Sequence, residues 1–119
     1  MAVGQFPPPP VSPLAISIVK QAVAKEKPIA AQTGSVYVLA EAGVLKGKRY
    51  AYLLDRFNPY PPYKSDSRFE GAIWGGPDVV QDGMIITSGI CPFMEAFTGL
   101  RDCTPELTQA FIVKLGRKK

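Results

Sequence analysis

Cys91 has the clearest route to covalent chemistry in this 119-residue sequence. It stands directly before Pro92, which places it at the N-cap of a helix opening on the proline, and a helix N-terminus stabilises the thiolate that attacks electrophiles. The competing reading is a small, half-buried thiol with no base to activate it, because the sequence contains no histidine. That absence excludes Ser-His and Cys-His nucleophiles, histidine general bases and histidine metal ligands. Cys103, before Thr104-Pro105, reads as a surface or packing thiol. Two cysteines without histidine form neither a metal-type pair nor a disulfide framework, so no metal site and no cofactor are expected. Glu95 and Asp102 are acids without a legible paired geometry, and Glu41 solvates its helix.

A second candidate site is Gln32-Thr33-Gly34, a tight turn between an apolar strand and an apolar helix within Pro28 to Lys48. Such an elbow is where many α/β enzymes hold a nucleophile, since it exposes one side chain beside a helix N-terminus. An amide is neither nucleophile nor general base. Gln32 offers a donor and an acceptor, and the Thr33 and Gly34 amides point into the helix N-terminus, so a ligand could be held there. The favoured reading is that the elbow has relaxed and Gln32 faces solvent.

The elements that must position these residues follow from local signals. Ser12 as N-cap and Pro13 at the first helical position predict a helix to about Lys25, with Leu14, Ile18, Ala22 and Val23 recurring at helical spacing. Ile29-Ala30-Ala31 reads as a buried strand of a parallel sheet. Val36, Val38, Leu39 and Ala42 predict a helix packed against a sheet, stopped by Gly43 in the left-handed C′ position with Val44 closing back on the last turn. Arg49 to Leu54 alternates weakly as another strand. A hairpin is predicted from Asp78–Gln81 and Met84–Ser88, with Asp82-Gly83 as a type I′ turn. Phe93 to Leu100 continues as a helix, and Thr104-Pro105-Glu106 opens the last one, whose buried face is Leu107, Ala110, Phe111 and Leu115 and whose end is Gly116.

Asp55 to Pro77 is the least regular stretch. Phe57, Tyr60, Tyr63, Phe69 and Trp74 alternate there with Arg56, Lys64 and Arg68. Aromatics among basic residues could stack on a single-stranded nucleic acid, but Asp55, Asp66, Glu70 and Asp78 nearly cancel the charge and no nucleic-acid motif is present. A long loop pinned by its aromatics is the reading adopted, and nucleic acid is not an expected partner.

Length fits one small domain: a proline-rich arm over residues 1–11, a domain over 12–116 and a basic tail over 117–119. The net charge of +4 is modest and partly resides in that tail. No run approaches the roughly 18–20 apolar residues of a membrane helix, and the first residues lack the basic and apolar regions of a secretory signal. The expected location is the reducing cytoplasm.

Three stretches together resemble the ThiJ/PfpI family of the class I glutamine-amidotransferase-like superfamily. They are Lys27-Pro28-Ile29-Ala30-Ala31, Leu39-Ala40-Glu41-Ala42-Gly43-Val44-Leu45-Lys46-Gly47-Lys48, and Val79-Val80-Gln81-Asp82-Gly83-Met84-Ile85-Ile86-Thr87-Ser88, in the family's order and near its spacing over residues 14–115. The resemblance implies an α/β, partial flavodoxin-like sandwich: the second half of the family sheet with flanking helices and a β-hairpin. Family members typically carry Cys-x-Gly at the elbow, and Gln32 stands in the cysteine's place. The family's histidine is absent, as is the N-terminal half that usually supplies an acidic partner. It implies further that the loop after the Thr-Ser strand brings Cys91 near Gln32. The expectation is a degenerate, non-catalytic domain acting through self-association or a complementing partner chain. The alternative is a cysteine-dependent hydrolase, hydratase or glyoxalase-like enzyme using Cys91 or a site completed by a second chain. No substrate or partner identity follows from the sequence.

Overall fold

Ser12 and Pro13 open the first element as their chemistry dictates. In the computed structural model, which describes residues 11–58 and 65–117, helix α1 spans Pro13–Ala24 and the Ser12 hydroxyl accepts the Leu14 amide hydrogen at 3.1 Å. Strand β1 follows over Ile29–Gln32. A 3-10 turn, Thr33–Ser35, leads into helix α2, Val36–Glu41. Its end is the predicted glycine stop: Gly43 takes φ +77°, its amide donates to the Ala40 carbonyl, and Val44 reaches back to Leu39.

The hairpin forms from β4, Val79–Asp82, and β5, Ile85–Ser88. Its register differs by one residue from the expected one. Asp82 pairs with Ile85, so Gly83-Met84 makes the turn, and only Gly83 takes a positive φ, +63°. One glycine at the first central position is the type II′ requirement, not the type I′ one. Strand β5 lies at the centre of a three-stranded sheet in the order β1-β5-β4, with β1 parallel from Ile29↔Ile85 to Gln32↔Ser88. All four β5 side chains are buried, as a strand covered on both faces requires.

The expected strand from Arg49 to Leu54 is shorter, β2 being Arg49–Tyr50. It pairs in parallel with β3, Ile73–Trp74, which lies inside the stretch expected to be loop. Beyond Tyr50 the backbone continues through Tyr52, whose amide donates to Gly76. It then turns at Asp55, whose carboxylate accepts the Phe57 and Asn58 amides. A 3-10 turn at Ser67–Phe69 drives Phe69 into the core among Tyr37, Tyr50 and Tyr52, with ring centroids 5.0 to 6.3 Å away. The described aromatic and basic residues of this stretch thus turn largely inward. Tyr60, Tyr63 and Lys64 lie outside the described residues, as does all but Val11 of the proline-rich arm.

Helices α3, Pro92–Thr98, and α4, Thr104–Arg117, complete the chain. Helix α4 continues past Gly116. Its predicted face is only partly buried: Leu107 is in the core, Ala110 and Phe111 are half-buried, and Leu115 is exposed. Helix α1 departs further from expectation. Val19 packs against the core, while Leu14 and Ile18 are 69% and 57% exposed. The helix contacts α2 and β1 with Val19 turned to the core, so the Leu14-Ile18 row is turned out. The result is a mixed α/β, partial flavodoxin-like fold. Among the described residues no helix is long and apolar enough to cross a membrane.

Candidate functional site

Strand β1 delivers Gln32 to the elbow in ordinary extended backbone, φ −134° and ψ 137°. The conformational strain is one residue later. Thr33 takes φ +48°, the left-handed region that a β-branched residue rarely adopts. Its hydroxyl donates to the Gln32 carbonyl at 2.8 Å, so that hydroxyl is turned back on the backbone. Sequence reasoning centred on Gln32 missed Thr33 as the strained position, since no rule from residue type puts a threonine there.

Gln32 does not simply face solvent. Its Nε2 donates to Ser88 Oγ at 3.3 Å and to the Ile90 carbonyl at 3.2 Å, while its Oε1 accepts from Thr104 Oγ1 at 3.3 Å. The amide orientation is fixed by Ile90, whose carbonyl can only accept. Thr104 Oγ1 lies closer to Asp102 Oδ1, at 2.7 Å, and the same oxygen receives the Thr104 amide at 3.0 Å. The Asp102 amide donates in turn to Glu95 Oε2 at 3.1 Å. One polar chain therefore ties the ends of β1 and β5 to the start of α4 and to α3. The acids Glu95 and Asp102, unassigned from sequence, are capping and bridging groups within it, and Glu41 pairs with Arg68 at 3.2 Å.

Close packing behind this chain requires Gly89. A Cβ there would lie 2.5 Å from the Tyr52 carbonyl carbon and 2.7 Å from the Leu53 nitrogen. The Tyr52–Leu53 backbone thus lies directly against the residue that follows Ser88.

The two cysteines enter the site differently. Cys91 is the half-buried N-cap of α3, with extended backbone and no side-chain capping bond. It follows Ile90 directly, the residue whose carbonyl Gln32 holds. Cys103 is buried, and its amide donates to that same Ile90 carbonyl at 2.9 Å. Burial pushes the Cys103 thiol up, and the Asp78 and Glu106 carboxylates push it further, which favours the unreactive neutral form. Among the described residues no group of three or more Cys, Asp or Glu side chains is placed to hold a metal ion.

Residues 9–99 match the family model of the DJ-1/PfpI family. The chain belongs to the DJ-1/PfpI family. This is the family that the ThiJ/PfpI resemblance named, and the match takes in the strand, elbow, helix and hairpin just described. No curated protein and no solved structure matches the chain. What this DJ-1/PfpI chain brings to its elbow is therefore given by its own residues. They are an amide in a hydrogen-bonded lattice, a strained threonine, the exposed Gly34 and a neighbouring thiol. Ser88 and Thr104, the partners of Gln32, escaped sequence reasoning. The one available signal was their position, at the end of a strand and beside a helix-opening proline.

Proposed function

We propose that this DJ-1/PfpI chain is non-catalytic and acts by association, with a second copy of itself or with a partner chain. The observation that carries the first half is the Gln32 lattice. Its Nε2 donates to Ser88 and Ile90 and its Oε1 lies 3.3 Å from the Thr104 hydroxyl, whose proton the Asp102 carboxylate shares, so the elbow side chain serves as a structural tie between β1, β5 and α4. An amide so held neither attacks a carbon nor moves a proton, and a sequence without histidine offers no imidazole to replace it.

The edge of β1, unpaired among the described residues, supports association. The strand lies at the end of its sheet. The Ile29 amide donates to Met84 on the β5 side, so by ladder alternation the Ala30 amide and carbonyl face the open side. Two of the helices that touch β1, α1 and α4, also carry exposed apolar side chains: Leu14 and Ile18 on the first, Ile112 and Leu115 on the second. A groove of about 440 Å³ runs along α1, lined by Pro13, Ile16, Ser17, Lys20, Gln21 and Ala24. An open strand edge beside apolar helix surface is a surface another chain can cover.

Sedimentation velocity of the purified chain tests the reading. A species at or above twice the monomer mass of 12.9 kDa is expected, and a monomer at all concentrations would remove self-association and leave only a foreign partner. A second reading, a cysteine-dependent enzyme, draws on the half-buried Cys91 beside Ile90. Iodoacetamide separates the two: the non-catalytic reading expects Cys91 to alkylate at neutral pH no faster than a free cysteine, and a rate tenfold higher would favour the enzyme.

A further inference from the structure

Strand β1 has a hydrogen-bonding edge that complements itself. A trans peptide points its carbonyl away from the amide that follows. The Ile29 amide donates to Met84 on the β5 side, so the Pro28 carbonyl faces the open side. The parallel register from Ile29↔Ile85 to Gln32↔Ser88 commits the backbone groups of Ile29 and Ala31 to β5. The Ala30 amide and carbonyl and the Gln32 amide are left on the open edge, and Ala30 is exposed. Two positions break the row. Pro28 has no amide hydrogen, and the Gln32 carbonyl is already engaged by the Thr33 hydroxyl at 2.8 Å.

Those two gaps match when the edge meets a copy of itself. In an antiparallel pair centred on Ala30, the two Ala30 residues exchange both N–H···O bonds. Residue 28 of one copy then stands opposite residue 32 of the other. The Gln32 amide donates to the Pro28 carbonyl of the second copy, and the donor that Pro28 lacks falls opposite the one carbonyl that needs none. No outward group of the edge is left unpaired. Sliding the pair by two residues toward Pro28 would set that proline opposite Ala30 and leave the Ala30 carbonyl without a donor. The two-fold axis of the centred pair runs normal to the sheet, so each face meets its own kind. Helix α4 lies on the face of Gln32, which its Thr104 contacts. Helix α1 lies on the other, joining the core of Ala31 and Ile29 through Val19. The Ile112-Leu115 and Leu14-Ile18 rows, 46–69% exposed, therefore each share a face with their own copy. They hold on the order of 400 Å² of apolar surface per chain, a large part of the roughly 800 Å² that each partner buries in a stable interface.

We propose that the partner is a second copy of this chain, joined by antiparallel pairing of the two β1 edges about Ala30, so that the three-stranded sheet of each copy continues into the other. The inference rests on the association reading and narrows it to one partner and one register.

Amide hydrogen exchange of the unmodified chain tests the pairing, followed by ¹H–¹⁵N correlation below and above the concentration at which sedimentation shows twice 12.9 kDa. On assembly the Ala30 and Gln32 amides are expected to slow at least tenfold, while Ala31, already committed to β5, changes less. A doubled mass with Ala30 exchanging as in the monomer would overturn this pairing and leave the association reading standing. A monomer at every concentration would remove self-association and this pairing with it. Single cysteine variants read the register. Opposed residues of a hydrogen-bonded pair have Cα atoms about 5.5 Å apart, within disulfide reach, so mild oxidation of Ala30→Cys is expected to join position 30 to position 30. The same register holds the two copies of position 27 about 20 Å apart, so Lys27→Cys is expected to stay unlinked there. Linking between the two Lys27→Cys positions, or none at Ala30→Cys, mapped by peptide mass, would overturn the register.

Discussion

Asp66 couples burial and charge. Its carboxyl is almost fully enclosed, a setting that by itself raises its proton affinity, yet the hydrogen bonds from Arg68 outweigh that and hold it below the usual carboxylate range. Because the folded value is depressed, its contribution to stability is complete above the unfolded value of about 3.9. It is lost as pH falls through the lower folded value. Asp66→Asn is expected to cost about 2 kcal/mol at pH 7, since it leaves a buried guanidinium edge short of its partner. Urea midpoints of the two proteins should begin to converge as pH falls below about 3.9; a gap that stays constant with pH would assign the effect to shape instead of charge. Gln32 acts without charge. Gln32→Ala removes one donor each from the Ile90 carbonyl and the Ser88 hydroxyl, which keep the Cys103 and Ile90 amides, and is expected to cost about 1 kcal/mol, measured by the same midpoints. The residue types at the elbow were legible in the sequence. Their partners were not, because Ser88 and Thr104 lie 56 and 72 positions away, and no local pattern encodes a side chain that bridges two elements.

Elements with strong local chemistry emerged at or within a residue of where the sequence predicted; of those resting on long-range pairing, the parallel strand β1 emerged as predicted and the β2–β3 pair did not. Ser12-Pro13 and Gly43 impose a cap and a stop through their own backbone preferences, and Gly83 fixes a hairpin turn that lies one residue from the predicted Asp82-Gly83 one. The parallel pair of β2 and β3 has no such signal. Each strand has two residues, too few to alternate, and what joins them is hydrogen bonding across 24 positions of chain. A similar contrast appears in α1 and α4, where helical spacing identified the helices but not which apolar row would find a neighbour. Gly89 shows how demanding the unseen packing is. In sequence it is an unremarked residue after Thr-Ser, while in the fold it is the point where the β5 end and the Tyr52–Leu53 backbone touch. The three nearest atoms a Cβ would meet all belong to the Tyr52–Leu53 backbone, which cannot rotate away. Gly89→Ala is therefore expected to cost about 3 kcal/mol or more. A melting temperature within a few degrees of the parent would mean that the two segments separate easily.

At the scale of the whole molecule, the three-stranded sheet has β2 packed beside its β4 edge without a ladder and its β1 edge without a strand neighbour among the described residues. Strand β2 lies beside β4, whereas β1 presents the Ala30 amide and carbonyl outward with an exposed methyl between them. Natural sheets blunt such edges with charge, proline or bulges. This edge has none of the three between Ile29 and Gln32, and the helices touching it leave Leu14, Ile18, Ile112 and Leu115 in solvent. If association runs through this edge, one charged side chain should abolish it without unfolding the monomer. Ala30→Lys adds that charge on an exposed position whose own ladder groups do not contribute to the β5 pairing. The expected result is a shift of the sedimentation profile to 12.9 kDa with an unchanged far-ultraviolet circular dichroism spectrum. The stacked and exposed Phe93 and Phe97 of α3 offer a competing surface. Phe93→Lys is expected to leave the assembly intact. If Phe93→Lys dissociates it and Ala30→Lys does not, the contact lies on α3 and the open edge of β1 is left unused.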